Sequence, residues 1–255
     1  MIVSIIGAGN TATVLGKLLV DNNHTINEVV GRNKIAVQKL AEKMNATTCN
    51  ELDKVNKNSD VYILAVKDDA VAEVAEKLQL NKKIAVHTAG SVAMNVLKNA
   101  SENYGVLYPL QSLRKELNYA PAIPFLVDGN NNFTKETIIN LANSITRFVN
   151  IADDEMRLKY HLSGVIVSNF TNHLFALTKE YCKKNKIDFN LLLPLIEETV
   201  NRLHNYEPAE MQTGPAIRKD KITMEKHLQL LHNFPQLKNI YELMSESIEA
   251  TSKHS

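Results

Sequence analysis

Six residues near the start of the chain, Gly7-Ala8-Gly9-Asn10-Thr11-Ala12, limit the possible folds more than any other stretch. They follow an apolar run, residues 2–6, and open a helical pattern over residues 11–21 with Val14, Leu15, Leu18 and Leu19 on one side. A strand that turns through G-x-G-x-x-A into a helix is the phosphate-binding turn of a dinucleotide-binding βαβ unit. Gly7 makes the tight turn, Gly9 admits a pyrophosphate to the backbone, and Ala12 lets helix and strand pack closely. The helix start then offers free N–H groups and the positive end of its dipole to the phosphates. Gly7, Ala8, Gly9, Asn10, Thr11 and Ala12 are therefore the expected phosphate contacts.

The pattern continues as such a fold requires. Residues 26–31, 60–66, 84–87, 105–108, 125–128 and 149–152 read as strands, and 35–44, 69–78 and 134–148 as helices. The run Asp60-Val61-Tyr62-Ile63-Leu64-Ala65-Val66 is almost wholly apolar after its first residue, as in a strand buried on both faces of a parallel sheet. Strand–helix alternation predicts right-handed crossovers and a mostly parallel sheet with helices on both faces. After residue 152 the strand signal stops. Residues 155–184, 188–205, 221–232 and 236–252 read as helices, with a Pro- and Gly-containing loop between 205 and 220. The expected class is α/β: a Rossmann domain over 1–152 and an all-helical domain over 153–255.

The end of the second strand selects the cofactor. NAD-binding domains place an acid there for the ribose 2′-hydroxyl. Here the strand ends Val30-Gly31-Arg32-Asn33, and Glu28 lies too early. A guanidinium can fork onto a 2′-phosphate, so Arg32 favours NADP, the alternative being a solvated loop residue. Asn33 adds a hydrogen-bonding group and caps the next helix.

Ligands of open α/β sheets bind beyond the carboxyl ends of the strands. At Ala65-Val66-Lys67-Asp68-Asp69, Val66 and Lys67 are read as cofactor contacts and the two acids as helix caps. At His87-Thr88-Ala89-Gly90-Ser91, hydroxyls, an imidazole and a flexible backbone come close to where a nicotinamide would lie, with Thr88 and Ala89 as contacts. At Tyr108-Pro109-Leu110-Gln111-Ser112, the uncharged Ser112 could face a substrate. Ordinary loop hydrogen bonding is the competing reading for each.

From Tyr160 to Thr178 the chain carries no lysine, arginine or acid. Leu162, Ile166, Phe170, Leu174 and Leu177 make an apolar face at helical spacing. The other side carries His161, Gly164, Ser168 and Asn172, with Asn169 at its margin. A side without Lys or Glu is expected to be buried or to line a cleft. His161, Asn169 and Asn172 are thus candidate substrate contacts. His161 is the candidate proton donor, since an imidazole titrates near neutrality.

Composition removes other classes. Of 255 residues, 44% are hydrophobic and 22% charged, and the net charge of +1 gives no electrostatic case for nucleic acid or a membrane surface. Two distant cysteines match no metal or redox spacing, so no metal site is expected. No basic leader precedes the first strand and no apolar run would span a bilayer, so a cytoplasmic protein is expected.

Together these motifs resemble bacterial Rossmann-like NADP oxidoreductases of the deazaflavin-dependent type that carry a helical C-terminal domain of unknown function. More distantly the chain resembles pyrroline-5-carboxylate reductase and the 6-phosphogluconate and 3-hydroxyisobutyrate dehydrogenases. The likeness is carried by residues 7–12, 31–33, 65–70, 87–91, 108–113, 161–173 and 213–220, with His227. It implies NADP on Gly7 to Ala12 and Arg32, a small substrate in a cleft between the domains, and a homodimer built on the C-terminal helices. The sugar-acid dehydrogenases carry a lysine one turn before an asparagine on the long helix. Here Val165 and Ser168 hold those positions before Asn169 and Asn172, so that acid–base mechanism does not carry over. The expected function is hydride transfer between NADP(H) and a small substrate; the alternative is an NADP(H) sensor without turnover.

Overall fold

The computed structural model describes residues 1–117, 119 and 121–251. They fall into two compact units, one ending at Ser168 and the other beginning at Asn169. The first is built on one eight-stranded sheet in the order β3-β2-β1-β4-β5-β6-β7-β8. The strands are β1 (Ile2–Ile6), β2 (Thr25–Val30), β3 (Thr47–Cys49), β4 (Val61–Leu64), β5 (Asn81–His87), β6 (Ser101–Pro109), β7 (Phe125–Gly129) and β8 (Val149–Ile151). All neighbouring pairs run parallel except β6 and β7. Among its described residues the link between those two holds no crossover helix, and the chain returns antiparallel.

Helices α1 (Asn10–Asp21), α2 (Lys34–Met44), α3 (Val71–Lys77) and α4 (Asn132–Ile145) cover the sheet. Alternation along each strand feeds two cores. Val3, Ile5 and Ile63 join Leu15, Leu19, Leu40 and Leu141 on one face. Ile6, Tyr62 and Leu64 join Val71, Ala75 and Leu78 on the other. Asn33 caps α2 by accepting from the Ala36 N–H at 3.1 Å, as expected, and Asn131 caps α4 by accepting from the Thr134 N–H. Glu28 is buried within β2 and accepts from the Asn56 N–H; burial raises its carboxyl above the usual range. It is a core group, not a ribose ligand.

The division expected near residue 152 is placed differently by the compact units, because helix α5 (Asp154–Gly164) packs on the first. Its Asp154 accepts from the Met94 N–H, and Arg157, only 1% exposed, donates to the Val92 carbonyl and to Asp154. The long helix read over 155–184 is continuous but changes pitch. A π-helical turn, Val165–Phe170, separates α5 from α6 (Thr171–Lys184).

The second unit contains α6, α7 (Leu193–Asn201), α8 (Lys221–Leu230) and α9 (Pro235–Thr251). Asp188 and Asp220 act as caps, accepting from the Asn190 and Thr223 N–H groups. Tyr181 meets Phe234 edge-on, and His227 Nδ1 lies 3.0 Å from the Tyr241 hydroxyl. Among the described residues no helix is long and apolar enough to cross a membrane, and no group of His, Cys, Asp or Glu could hold a metal ion.

Candidate functional site

The strand order reverses between β1 and β4, and the turn after β1 lies at that switch point. Gly7 has φ +125°, a region closed to most side chains. A Cβ on Gly7 would stand 2.2 Å from the Ala65 carbonyl oxygen, so the residue is fixed by close approach as well as by φ. At Gly9 a Cβ would meet nothing within 4 Å, so its backbone borders open space. Gly9 caps α1 without a side chain, which leaves the first-turn N–H groups free for an external acceptor. Ala12 is fully buried where α1 meets the sheet.

This turn forms one wall of a cavity of about 940 Å³. Gly7, Ala8, Gly9, Arg32, Asn33, Val66 and Lys67 all line it, so seven of the residues singled out from the sequence meet at one place. The size suits an extended organic ligand, since ligand cavities run to about 1,000 Å³. Arg32 makes no hydrogen bond or ion pair among the described residues. Its charge is felt at Glu73, whose carboxyl is held below the usual range by a hydrogen bond and the charge of Lys77, and then by Arg32. Lys115, from the loop after β6, also reaches the cavity wall, as do Asn50 and Asp53. Sequence spacing gave no sign of these three. A guanidinium without a partner among the described residues and a side-chain-free helix start on the same cavity fit a dinucleotide carrying an extra phosphate.

Other expectations are placed differently. Asn10 and Thr11 begin α1 but do not line the cavity. Thr88 and Ala89 are buried beyond β5, where the Thr88 N–H donates to the Leu64 carbonyl at 3.2 Å; neither lines the cavity. His87 is fully buried, so its imidazole is not offered to a ligand. Burial first, then the charge of Arg157, lowers its pKa to about 4, which leaves it neutral. Its Nδ1 accepts from the Ala89 N–H at 3.2 Å, so the ring shapes the turn from below. Asp68 caps no helix: its Oδ2 accepts from the Ser91 hydroxyl at 2.6 Å, joining the turns after β4 and β5. Asp69 lines the cavity instead of capping.

The turn after β5 meets α5. His161 Nδ1 lies 3.0 Å from the Tyr108 hydroxyl, with the rings edge-on at 6.0 Å. Burial, then the charge of Asp68, raises the Tyr108 phenol, with Arg157 opposing. Ser112 is exposed in the loop after β6, its N–H held by the Gln111 side chain. In the second unit Asn169 and Asn172 are exposed, and their side chains make no hydrogen bond among the described residues. The uncharged side of the long helix is thus covered only in part: His161 packs on Tyr108 and Gly164 lies near Leu110, while Asn169 and Asn172 stay exposed.

Known proteins resemble this chain over nearly its whole length. Residues 2–90 match the family model described as NADP oxidoreductase, coenzyme F420-dependent, and residues 123–248 match a domain of unknown function, DUF2520. A candidate NADP oxidoreductase from Bacteroides fragilis is 37% identical, with a TM-score of 0.91 over 98% of each chain. The chain therefore belongs to this family of NADP oxidoreductase-like proteins with a helical C-terminal domain. Two more distant structures share the fold. A reductive aminase from Aspergillus terreus in complex with NADPH and ethyl-5-oxohexanoate is 14% identical, TM-score 0.72, over 96% of this chain and 93% of the other. A 1-pyrroline-5-carboxylate reductase from Streptococcus pyogenes is 16% identical, TM-score 0.63, over 98% of each. No curated protein matches in sequence.

Proposed function

We propose that the protein is an NADPH-dependent reductase that moves a hydride from the nicotinamide to a small C=N or C=O acceptor. One observation carries this reading: the side-chain-free start of α1 and the unpaired Arg32 border a single cavity. In it, the backbone around Gly7 to Gly9 would take the pyrophosphate, and Arg32 with Asn33 the 2′-phosphate. Bound there, the cofactor supplies the hydride. The protein's own residues hold it, exclude water and manage the proton. In the first unit His161 is the proposed proton donor and Ser112 a proposed substrate contact; Asn169 and Asn172 are the polar candidates of the second unit taken by itself. NADP-binding structures of the same fold, reducing imines or forming amines by their descriptions, support the acceptor class. The test is NADPH oxidation in the presence of a panel of imines and ketones, after NADPH binding is established by calorimetry.

We also propose that the active form is a homodimer built on the helical half. Leu162, Val167 and Phe170 are 58%, 71% and 58% exposed, and Leu191 and Leu195 are 77% and 65% exposed. Apolar exposure on this scale marks an association surface, and a second copy carries the same complementary face. Sedimentation at micromolar concentration checks it.

A further inference from the structure

We propose that His161 gives its proton from Nε2 and that Gly90 and Tyr108 are the positioning residues that set the ring for this. The proposal rests on the reductase reading above.

Gly90 is the first observation. Its φ lies outside the left-handed region, so backbone geometry does not demand glycine there. Space does: a Cβ would stand 2.6 Å from His161 Nδ1, 2.8 Å from its Cγ and 3.0 Å from the Tyr108 ring. The turn after β5 thus has a flat seat, and the imidazole and phenol rest directly on it. That seat is one strand away from the cavity wall. Leu64 and His87 are register partners on β4 and β5, and Ala65, Val66 and Lys67, immediately after Leu64, line the cavity.

Tyr108 fixes which nitrogen faces outward. Its phenol is held protonated by burial, and His161 Nδ1 is its hydrogen-bond partner among the described residues. In this proposal the phenol is the donor to Nδ1, which places the hydrogen of the neutral ring on Nε2. Nε2 has no partner among the described residues, and the ring is half-exposed. When the ring is cationic, Nδ1–H donates to the phenol oxygen and Nε2–H still points away from it. In the proposed step the Nε2–H bond of the cation breaks, an N–H or O–H bond forms on the acceptor, and the ring is left neutral and still held by Tyr108. The acceptor carbon takes its hydride from the reduced nicotinamide, and solvent returns the proton to the ring. α5 is anchored for this purpose one turn earlier, where Arg157 and Asp154 bind the Val92 carbonyl and the Met94 N–H.

The test combines nitrogen NMR of histidine-labelled protein, NADPH calorimetry, and NADPH oxidation with 2-methyl-1-pyrroline and cyclohexanone as probes. Expected in the wild type is the Nε2–H tautomer of His161. Tyr108→Phe and Gly90→Ala should mix the tautomers and lower kcat about 10-fold through misplacement of the ring. His161→Gln should lower kcat by about 100-fold or more. NADPH affinity should hold in all three. An Nδ1–H tautomer in the wild type, or full kcat in His161→Gln with NADPH bound, overturns the proposal and leaves the reductase reading standing. If NADPH binds but neither probe is reduced, the tautomer decides. A wild type that does not bind NADPH overturns the reductase reading, and this proposal with it.

Discussion

The two compact units solve their packing differently. The sheet unit is closed on itself: Val3, Ile5, Val29, Ile63, Val86 and Phe125 are fully buried between two layers of helices. The helical unit buries little of its apolar surface, with Cys182, Ala216 and Leu231 among the few buried apolar residues, while Phe170, Leu191, Leu195 and Leu243 stand more than half exposed. The first unit builds its cavity from the glycine turn and from side chains such as Arg32 and Lys67. The second presents polar and apolar side chains, Asn172 and Leu195 among them, that stand exposed. Cofactor binding should therefore be a property of the first unit, and assembly a property of the second.

The sharpest way to break this contrast is at Gly7. Gly7→Ala forces a Cβ against the Ala65 carbonyl at a positive φ. It should cost about 2–4 kcal/mol of stability and abolish NADPH binding, as read by denaturant melts and calorimetry. Acid should act on the same unit through His87. The unfolded chain takes a proton near pH 6.5, but the buried ring does not until about pH 4. Stability is complete above pH 6.5 and drains as pH falls towards 4, by about 3 kcal/mol in all. Urea melts across that range should show the loss, and His87→Gln should flatten it.

Substitutions in the second unit should sharpen the contrast from the other side. Phe170→Glu with Leu195→Glu should turn a dimer into a monomer by sedimentation while NADPH affinity is kept. A dimer that survives both charges would place the interface elsewhere. The smallest effect belongs to Asn33→Ala. Loss of the α2 cap should cost about 1 kcal/mol, with a modest fall in NADPH affinity from the cavity wall.

The sequence disclosed most where a local rule exists. A glycine turn after an apolar strand has a fixed spacing, so Gly7, Gly9 and Arg32 were legible, and they do meet in one cavity. Long apolar strands such as β4 were legible for the same reason. β3, the three residues Thr47, Thr48 and Cys49, was not, because a short, partly exposed edge strand needs no apolar alternation. Asp68 looked like a cap because acids often precede helices; its actual partner, Ser91, is 23 residues away. Arg157 is a charged residue near a helix start, and nothing in its local sequence marks it as buried. Tyr108 and His161 are 53 residues apart, and no periodicity links them. The π-helical turn between α5 and α6 has no sequence signature of its own, since its side chains repeat the apolar pattern of the flanking turns.

The most direct measurement is calorimetry of NADPH and NADH on the wild type and on Arg32→Ala. If the cavity is an NADP site, the wild type prefers NADPH and the variant loses about 10- to 100-fold of NADPH affinity, as expected for a charge-assisted contact, while NADH binding is little changed. Equal affinity for the two nucleotides in the wild type, or an NADPH affinity indifferent to Arg32, would contradict it.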